Sequence, residues 1–426
     1  MLRAIAWLLL SLVVAGMLGV FALRLPSVQT WLAGRISAYA TEALGSCVQV
    51  DRVHLTFTGP AELRGVLVCD LKGDTLFAVR RLNLRRWRVS TERRQVHLRG
   101  VVVEGVRWHL RQGVDDPTSN FTQGSAALSS GDTTAPGAPW AIQADAFTIR
   151  DLRFTHHKDT SPVRPFGVDF DHVDVSGDVL GHDLLVIEDS IQAVLDHISF
   201  REKSGLVCTG LQGRATVSGR GIAVEYLELR TPFSTLRGRY EMRSASWKDY
   251  TGYIDRVEML AELDSSVVDL RDIAWFAPDL EGLAARVGVR GRARGTVREL
   301  KARDLTLDYG RHTHFEGSVE MSGLPDLAGT FVVVDARTLR TDAADLATVP
   351  VPPFPEGRVL EVPRELAVLG PMAFRGNFTG FASAFTAYGS ATTQLGALST
   401  DLSYERDTVS DVFRFNGALA TTGFDL

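Results

Sequence analysis

From Cys47 onward, apolar side chains recur at every second position, and the pattern persists almost to the last residue. A helix buries a stripe with a period of 3.6 and a strand buries one face with a period of two, so this chain must fold mainly as sheet. Val48-Gln49-Val50 and Val53-His54-Leu55-Thr56-Phe57 alternate and stop at Gly59-Pro60. Leu63–Leu71 follows, Lys72-Gly73-Asp74 reads as a turn, and Leu76–Val89, Val96–Leu98 and Val101–Leu110 continue the pattern. Short turns between such runs predict an antiparallel meander with one apolar and one polar face.

The pattern resumes at Trp140 after Gly113–Pro139, which is rich in Pro, Ser, Thr and Gly and reads as a disordered loop. Phe147–Ile149 and Leu152–Phe154 alternate, and His156-His157-Lys158-Asp159 is expected to turn. Strands are predicted at Phe166–Val175, Leu184–Ile187, Ile198–Phe200, Arg214–Ser218, Val224–Arg230, Ser234–Met242, Thr330–Val334, Met372–Phe378, Ala397–Tyr404 and Val412–Leu419. One phrase recurs, an alternating stretch, a Gly or Asp, then another alternating stretch: Val96–Leu110 around Gly100 and Gly105, Ala144–Phe154 around Asp151, and Arg303–Gly317. An array of similar units, each touching its neighbours, produces such a loose repeat. Three short helices interrupt it, at Val267–Ala277, after Thr341-Asp342, and from Pro363 to Leu369-Gly370. The alternation is still running where the sequence stops at Leu426, as expected of a fragment of a longer protein.

Two helices are expected before the sheet. In Ala4–Leu23, Ser11 is the only ordinary polar side chain. As an α-helix this run would be roughly 30 Å long, the thickness of a bilayer's hydrocarbon core. A cleavable secretory signal is the alternative. It needs a shorter apolar stretch with a small-x-small site directly behind it, and Ala38-Tyr39-Ala40 lies too far along. Arg3 on one side and Arg24 and Arg35 on the other leave the orientation open by charge. Next, Ser27–Leu44 carries Val28, Trp31, Leu32, Ile36, Ala40 and Ala43/Leu44 as an apolar stripe, with Gly45 placed to end the helix. Such a helix packs on the first sheet, or lies at the membrane surface and caps the sheet's open end.

The chain has 426 residues, a net charge of -5 and three cysteines. No global basic footprint points to nucleic acid, and no disulfide framework can organise the fold. Cys47, Cys69 and Cys208 read as small, partly buried residues, although Cys47 and Cys69 could pair from neighbouring strands. No phosphate loop, zinc-protease, C-x-x-C or nucleophile-elbow motif is present, so neither an enzyme nor a cofactor is expected. Gly288, Gly291 and Gly295 read as strand and bulge glycines. His312 and His314 would share one face of a strand, as a metal pair could, but no third ligand is near in sequence. The basic run Arg80, Arg81, Arg85, Arg86, Arg88, Arg93, Arg94 and Arg99 reads as a solvated outer face or as a contact for anionic lipid headgroups.

Several phrases together resemble a known family: Val28-Gln29-Thr30-Trp31-Leu32-Ala33, Val48-Gln49-Val50-Asp51-Arg52-Val53, Asp74-Thr75-Leu76 and Thr231-Pro232-Phe233-Ser234-Thr235-Leu236-Arg237-Gly238. Leu270-Arg271-Asp272-Ile273-Ala274-Trp275-Phe276-Ala277-Pro278 and Phe378-Thr379-Gly380-Phe381, followed by Tyr388-Gly389, complete the set. The chain is similar to the N-terminal part of the TamB (translocation and assembly module) proteins of the AsmA-like superfamily, especially their Bacteroidetes-type members. The resemblance implies an inner-membrane anchor with the amino terminus in the cytoplasm. It also implies an elongated, curled, taco-like β-groove in the periplasm whose apolar face shields phospholipid acyl chains. Phospholipid transport and outer-membrane protein assembly are the implied functions, with a BamA- or TamA-like barrel as partner through a C-terminal domain absent from this sequence.

The expected organisation is therefore an anchor at 1–25, a helix and first groove segment at 26–112, a loop at 113–139, and a continuing groove at 140–426. Candidate groove residues are Val53, Leu55, Phe57, Leu82, Leu84, Val101, Val103, Val106 and Trp108; candidate membrane-surface residues are Trp31, Arg35, Arg85, Arg86 and Arg88. Two rivals stand beside lipid conduction. One is a periplasmic scaffold that pairs client strands at its sheet edges, and the other is a structural spacer or adhesin with a closed, filled sandwich.

Overall fold

The computed structural model describes residues 26–56, 59–114, 119–120, 139–407 and 412–423. Strand makes up 63% and helix 12%, so the fold is mainly β. The expected span Ala4–Leu23, Phe57, and most of the 113–139 loop lie outside the described residues. Among the described residues no helix is long and apolar enough to cross a membrane. The chain divides into two compact units, one running to Arg164 and taking in Asp169–Gly205, the other comprising Pro165–Val168 and Leu206–Leu426.

The first unit opens with α1 (Pro26–Leu44), which ends at Gly45 in the left-handed conformation at φ +63°. Seven strands follow: β1 (Val48–Leu55), β2 (Ala61–Cys69), β3 (Thr75–Ser90), β4 (Gln95–Gln112), β5 (Ala141–Lys158), β6 (His172–Ile187) and β7 (Ser190–Glu202). Successive strands pair antiparallel except β4 and β5, which run parallel from Gln95↔Ala141 to Gln112↔Lys158. This corrects the expected uniform meander. A parallel pair needs a long crossover, and the polar stretch read as a loop supplies it. Cys47 and Cys69 form a disulfide with Cα atoms 5.0 Å apart, so the reading of these two as isolated thiols is also corrected. Cys208 is buried and takes no part in this disulfide.

The recurring phrase has a structural cause. In β3, Phe77 and Val79 alternate, Arg80-Arg81 intervene, and Leu82 and Leu84 resume one residue out of phase. The same slip occurs at Asp51-Arg52 in β1, Arg64-Gly65 in β2 and Glu104-Gly105 in β4, and the register brings all four into one row. Gly65 (φ +62°) and Gly105 (φ +68°) take the left-handed conformation there. A slip of one residue turns every later side chain to the other face, so a left-handed residue at the slip keeps the apolar set on one side. A second slip crosses β3 and β4 at Arg85-Arg86 and Arg99-Gly100.

The second unit holds twelve strands: β8 (Val207–Ser218), β9 (Gly221–Arg230), β10 (Thr235–Arg243), β11 (Glu258–Asp269), β12 (Arg286–Gly295), β13 (Glu299–Tyr309), β14 (Thr313–Ser322), β15 (Phe331–Thr341), β16 (Met372–Phe381), β17 (Ala384–Thr393), β18 (Gly396–Asp407) and β19 (Val412–Thr422). All its described pairings are antiparallel between neighbours in sequence. Here the slip is a true bulge in every second strand from β9 to β15. β9, β11, β13 and β15 each carry an extra residue, and the strands beside them place Gly213, Gly238, Gly291, Gly317 and Gly376 against it. At Gly317 a Cβ would run into the Asp335 carbonyl oxygen of the bulged neighbour, so a side chain there has no room. Bulges bend a strand and increase its twist, and a row of them bends the sheet along one line.

Three sequence expectations shift. His156–Lys158 belong to β5 rather than a turn, and the stretch 159–171 forms a loop where a strand was expected from Phe166. The helix expected over Val267–Ala277 is only Leu270–Ala274, because β11 runs on to Asp269, whose side chain caps it by accepting from the Arg271 N–H. The helices expected near residues 342 and 363 are present, at Ala343–Leu346 and Arg364–Val368.

Candidate functional site

In each unit a strand makes its substantial contacts with the strands hydrogen-bonded to it, and among the described residues no second layer of strands covers the sheet. The described core is correspondingly thin: Val257 is its one large side chain that is completely buried. Apolar side chains along the sheet are mostly half-buried. An apolar face with neither a sandwich partner nor a helical layer among the described residues is the feature that could bind something.

In the first unit, register aligns that face into rows. Val53, Leu63, Leu82, Val103, Ile149, Val179 and Ile198 lie side by side across seven strands, and Leu55, Ala61, Leu84, Val101 and Phe147 form the adjacent row. Beyond the phase slip come Val50, Val66, Val79 and Val106, then Val48, Val68, Phe77, Trp108 and Phe154. The structure thus brings together eight of the nine groove candidates, Phe57 being outside the described residues. Val53 and Val106 are buried, whereas Leu55 and Trp108 are each 37% exposed, with Trp108 edge-on to Phe154 at 5.6 Å.

The second unit adds residues that were not picked from the sequence. Phe378, Phe385, Tyr404 and Phe415 form a ladder across β16–β19 with centroids 4.7, 4.9 and 5.2 Å apart. Phe331 meets Phe381 edge-on at 5.2 Å. Their alternation is visible in the sequence, but the distance between the strands in the chain hides that the rings adjoin.

The opposite face is polar and largely self-neutralised. Glu62 accepts from Arg64 (2.7 Å) and Arg81 (2.8 Å), which hold its carboxyl below the usual range. Asp151 pairs with Arg107 (3.0 Å) and Arg80 (3.5 Å), and Asp145 with His97 (2.5 Å) and Arg99 (3.1 Å). Of the membrane-surface candidates, Arg85, Arg86 and Arg88 are exposed on this face. Trp31 and Arg35 sit on α1, where Trp31 is 62% exposed under the Arg35 guanidinium at 5.7 Å. Of the apolar stripe predicted for this helix, Val28 is half-buried and Trp31 exposed, and the side chains of Leu32, Ile36, Ala40, Ala43 and Leu44 lie outside the description. Thr30, Ser37 and Thr41, at helical spacing, are part-buried or buried, and both threonines bond the backbone of β1.

Clusters that look like chemistry turn out to be locks. Asp272 accepts from the hydroxyls of Thr231 (2.6 Å) and Ser234 (2.5 Å), Ser234 Oγ accepts from the Asp269 N–H (2.9 Å), and Arg271 lies 3.8 Å above the Phe233 ring. This ties the Thr231–Ser234 turn to Leu270–Ala274 and gives both stretches a folding role. His312 and His314 do not form a pair. His312 turns to Asp342 (2.7 Å), and His314 to Asp308 (2.7 Å) and Glu316 (3.2 Å). His312, Asp342 and Asp345 do bring ligand atoms within 4.8 Å of one another. However, Asp345 accepts from the N–H groups of Arg311, His312 and Thr313 and from the Thr313 hydroxyl, mostly at Oδ2, so this carboxylate already serves to hold the 311–313 backbone. Burial opposes ionisation of Asp345, yet these donors outweigh it and hold the carboxyl at about 2.

Comparison with protein families, with characterised proteins and with solved structures gives no match for this chain.

Proposed function

We propose that this chain is a TamB-like, AsmA-like envelope protein whose uncovered apolar sheet face carries phospholipid acyl chains across the periplasm. In this reading the Ala4–Leu23 run anchors it in the inner membrane, and the lipid moves towards outer-membrane assembly. One observation carries the reading: aligned rows of half-buried Val, Leu, Ile and Phe side chains with no second protein layer over them among the described residues. Each methylene of an acyl chain laid against such a face would contribute about 0.8 kcal/mol. A closed sandwich spacer fits this arrangement poorly. Photo-crosslinking from Leu82 and Val103 in cells tests the proposal. Captured phospholipid supports it, and its absence from every position in the two rows counts against it.

The scaffold reading keeps one specific observation. Phe413, Phe415 and Leu419 on β19 are exposed, and a client strand could pack against them. Crosslinks from Phe415 to polypeptide, with none to lipid from Leu82, would favour that reading.

A further inference from the structure

Three cross-strand pairs of like charge in this protein are resolved by its own carboxylates. Arg64 faces Arg81 across β2 and β3, and Glu62 bonds both. Arg107 faces Arg153 across β4 and β5, with Asp151 on the first and Asp174 on the second (2.7 Å). Arg294 faces Lys301, with Glu258 on one and Glu320 on the other. Like charges set directly opposite are destabilising, and a carboxylate offsets that at these three pairs, though not at Arg292 and Arg303, which face each other across β12 and β13 with no carboxylate among the described residues bonded to either.

Arg86 faces Arg99 across β3 and β4. Asp145 reaches Arg99 and is shared with His97, but no carboxylate among the described residues reaches Arg86 or the adjacent Arg85. These guanidiniums border a cleft of 970 Å³ whose lining includes Asn83, Gly100, Val102 and Thr148, and Leu84, Val101 and Phe147 of the apolar row. It also includes the carboxylates Glu62 and Asp145, which Arg64, Arg81, His97 and Arg99 already engage. Gly100 leaves the floor low because a side chain there would meet the Arg85 stem. We infer that this cleft binds a phosphate group, which takes at Arg85, Arg86 and Arg99 the place that Glu62 takes between Arg64 and Arg81. Guanidinium forks match phosphate oxygens in pairs, and a phosphate carries the charge that this cluster lacks. The inference is independent of the acyl-chain reading, because it rests on the guanidiniums and not on the apolar rows.

A phosphate ester presents this chemistry either as a lipid headgroup or free in solution, and one experiment separates the two. Full-length protein in neutral detergent is titrated with inorganic phosphate at fixed ionic strength, following the arginine Nε–H resonances. It is then reconstituted and tested for binding to phosphatidylglycerol vesicles and to phosphatidylcholine vesicles. Phosphate should shift the resonances of Arg85, Arg86 and Arg99, and R85Q/R86Q should weaken binding at least tenfold while circular dichroism stays unchanged. R85K/R86K, which keeps charge but loses the fork, should fall between. Loss of phosphatidylglycerol binding in R85Q/R86Q assigns the site to a headgroup; phosphate binding without that loss assigns it to a soluble ester. No shift at these arginines, or equal affinity in wild type and R85Q/R86Q, overturns the inference.

Discussion

The Gln29 carboxamide bonds both backbone groups of Leu55: its Nε2 donates to the Leu55 carbonyl and its Oε1 accepts from the Leu55 N–H, each at 2.6 Å. A side chain here occupies the edge of β1 as a neighbouring strand would. Thr30 does the same for Val53 and Thr41 for Val48, both bonding N–H and carbonyl through the hydroxyl. An exposed strand edge invites aggregation, and α1 closes this one with three polar side chains. Gln29→Ala and Thr41→Val should each cost about 1 kcal/mol. They should also speed hydrogen exchange at the Leu55 and Val48 amides respectively. Unchanged exchange at both amides would show that the helix does not guard the edge.

The Cys47–Cys69 bond joins the exit of α1 to the far end of β2 across 22 residues. Closing a loop of that size in the unfolded chain stabilises the fold by about 3 kcal/mol. Cys47→Ser/Cys69→Ser should lower the stability of the first unit by that order, and a reducing agent should do the same to the wild type. The double variant itself should not respond to reductant.

Asp345 ionises at about 2 in the folded protein, below its ordinary 3.8. A depressed carboxyl contributes stability in full above its unfolded value and loses it as pH falls through the folded one. The loss therefore belongs to the window from about pH 4 down to about pH 2. Asp345→Asn should cost about 2 kcal/mol at neutral pH and flatten the acid limb of the stability profile, measured by urea unfolding at each pH.

Gly317 and Gly73 separate two reasons for glycine. Gly73 sits at φ +90° with no atom within 4 Å of a built Cβ, whereas Gly317 is blocked by the Asp335 carbonyl of a bulged strand. Alanine at Gly73 should cost about 1 kcal/mol through backbone strain alone. Alanine at Gly317 must push two strands apart and should cost about 3 kcal/mol or more. Equal costs in chemical denaturation would contradict the pairing of each bulge with a glycine.

Much of the first unit was legible from the period-two pattern because its alternating residues line one face. The phrase around Gly100 and Gly105 was visible too, although only register shows that Arg80 and Gly105 belong to the same row. The parallel pairing of β4 and β5 left no local mark, since each strand alternates the same way whichever direction its neighbour runs. The β11 end was misjudged because Val267 and Val268 carry helix-compatible spacing into what is still ladder, opposite Gly288 and Val287. The resolution of the like-charge pairs was not readable at all: Glu62 is near Arg64 in sequence but reaches Arg81 only across the sheet.

The central claim is that Leu82 and Val103, side by side on the uncovered face, touch acyl chains, whereas Arg81 and Asn83, on the polar face of the same strand, do not. A photo-crosslinking amino acid placed in turn at 81, 82, 83 and 103, in cells labelled with radioactive phosphate, tests this directly. Labelled lipid adducts at 82 and 103, with none at 81 and 83, are the predicted result. Adducts at all four positions, or at none, would contradict it.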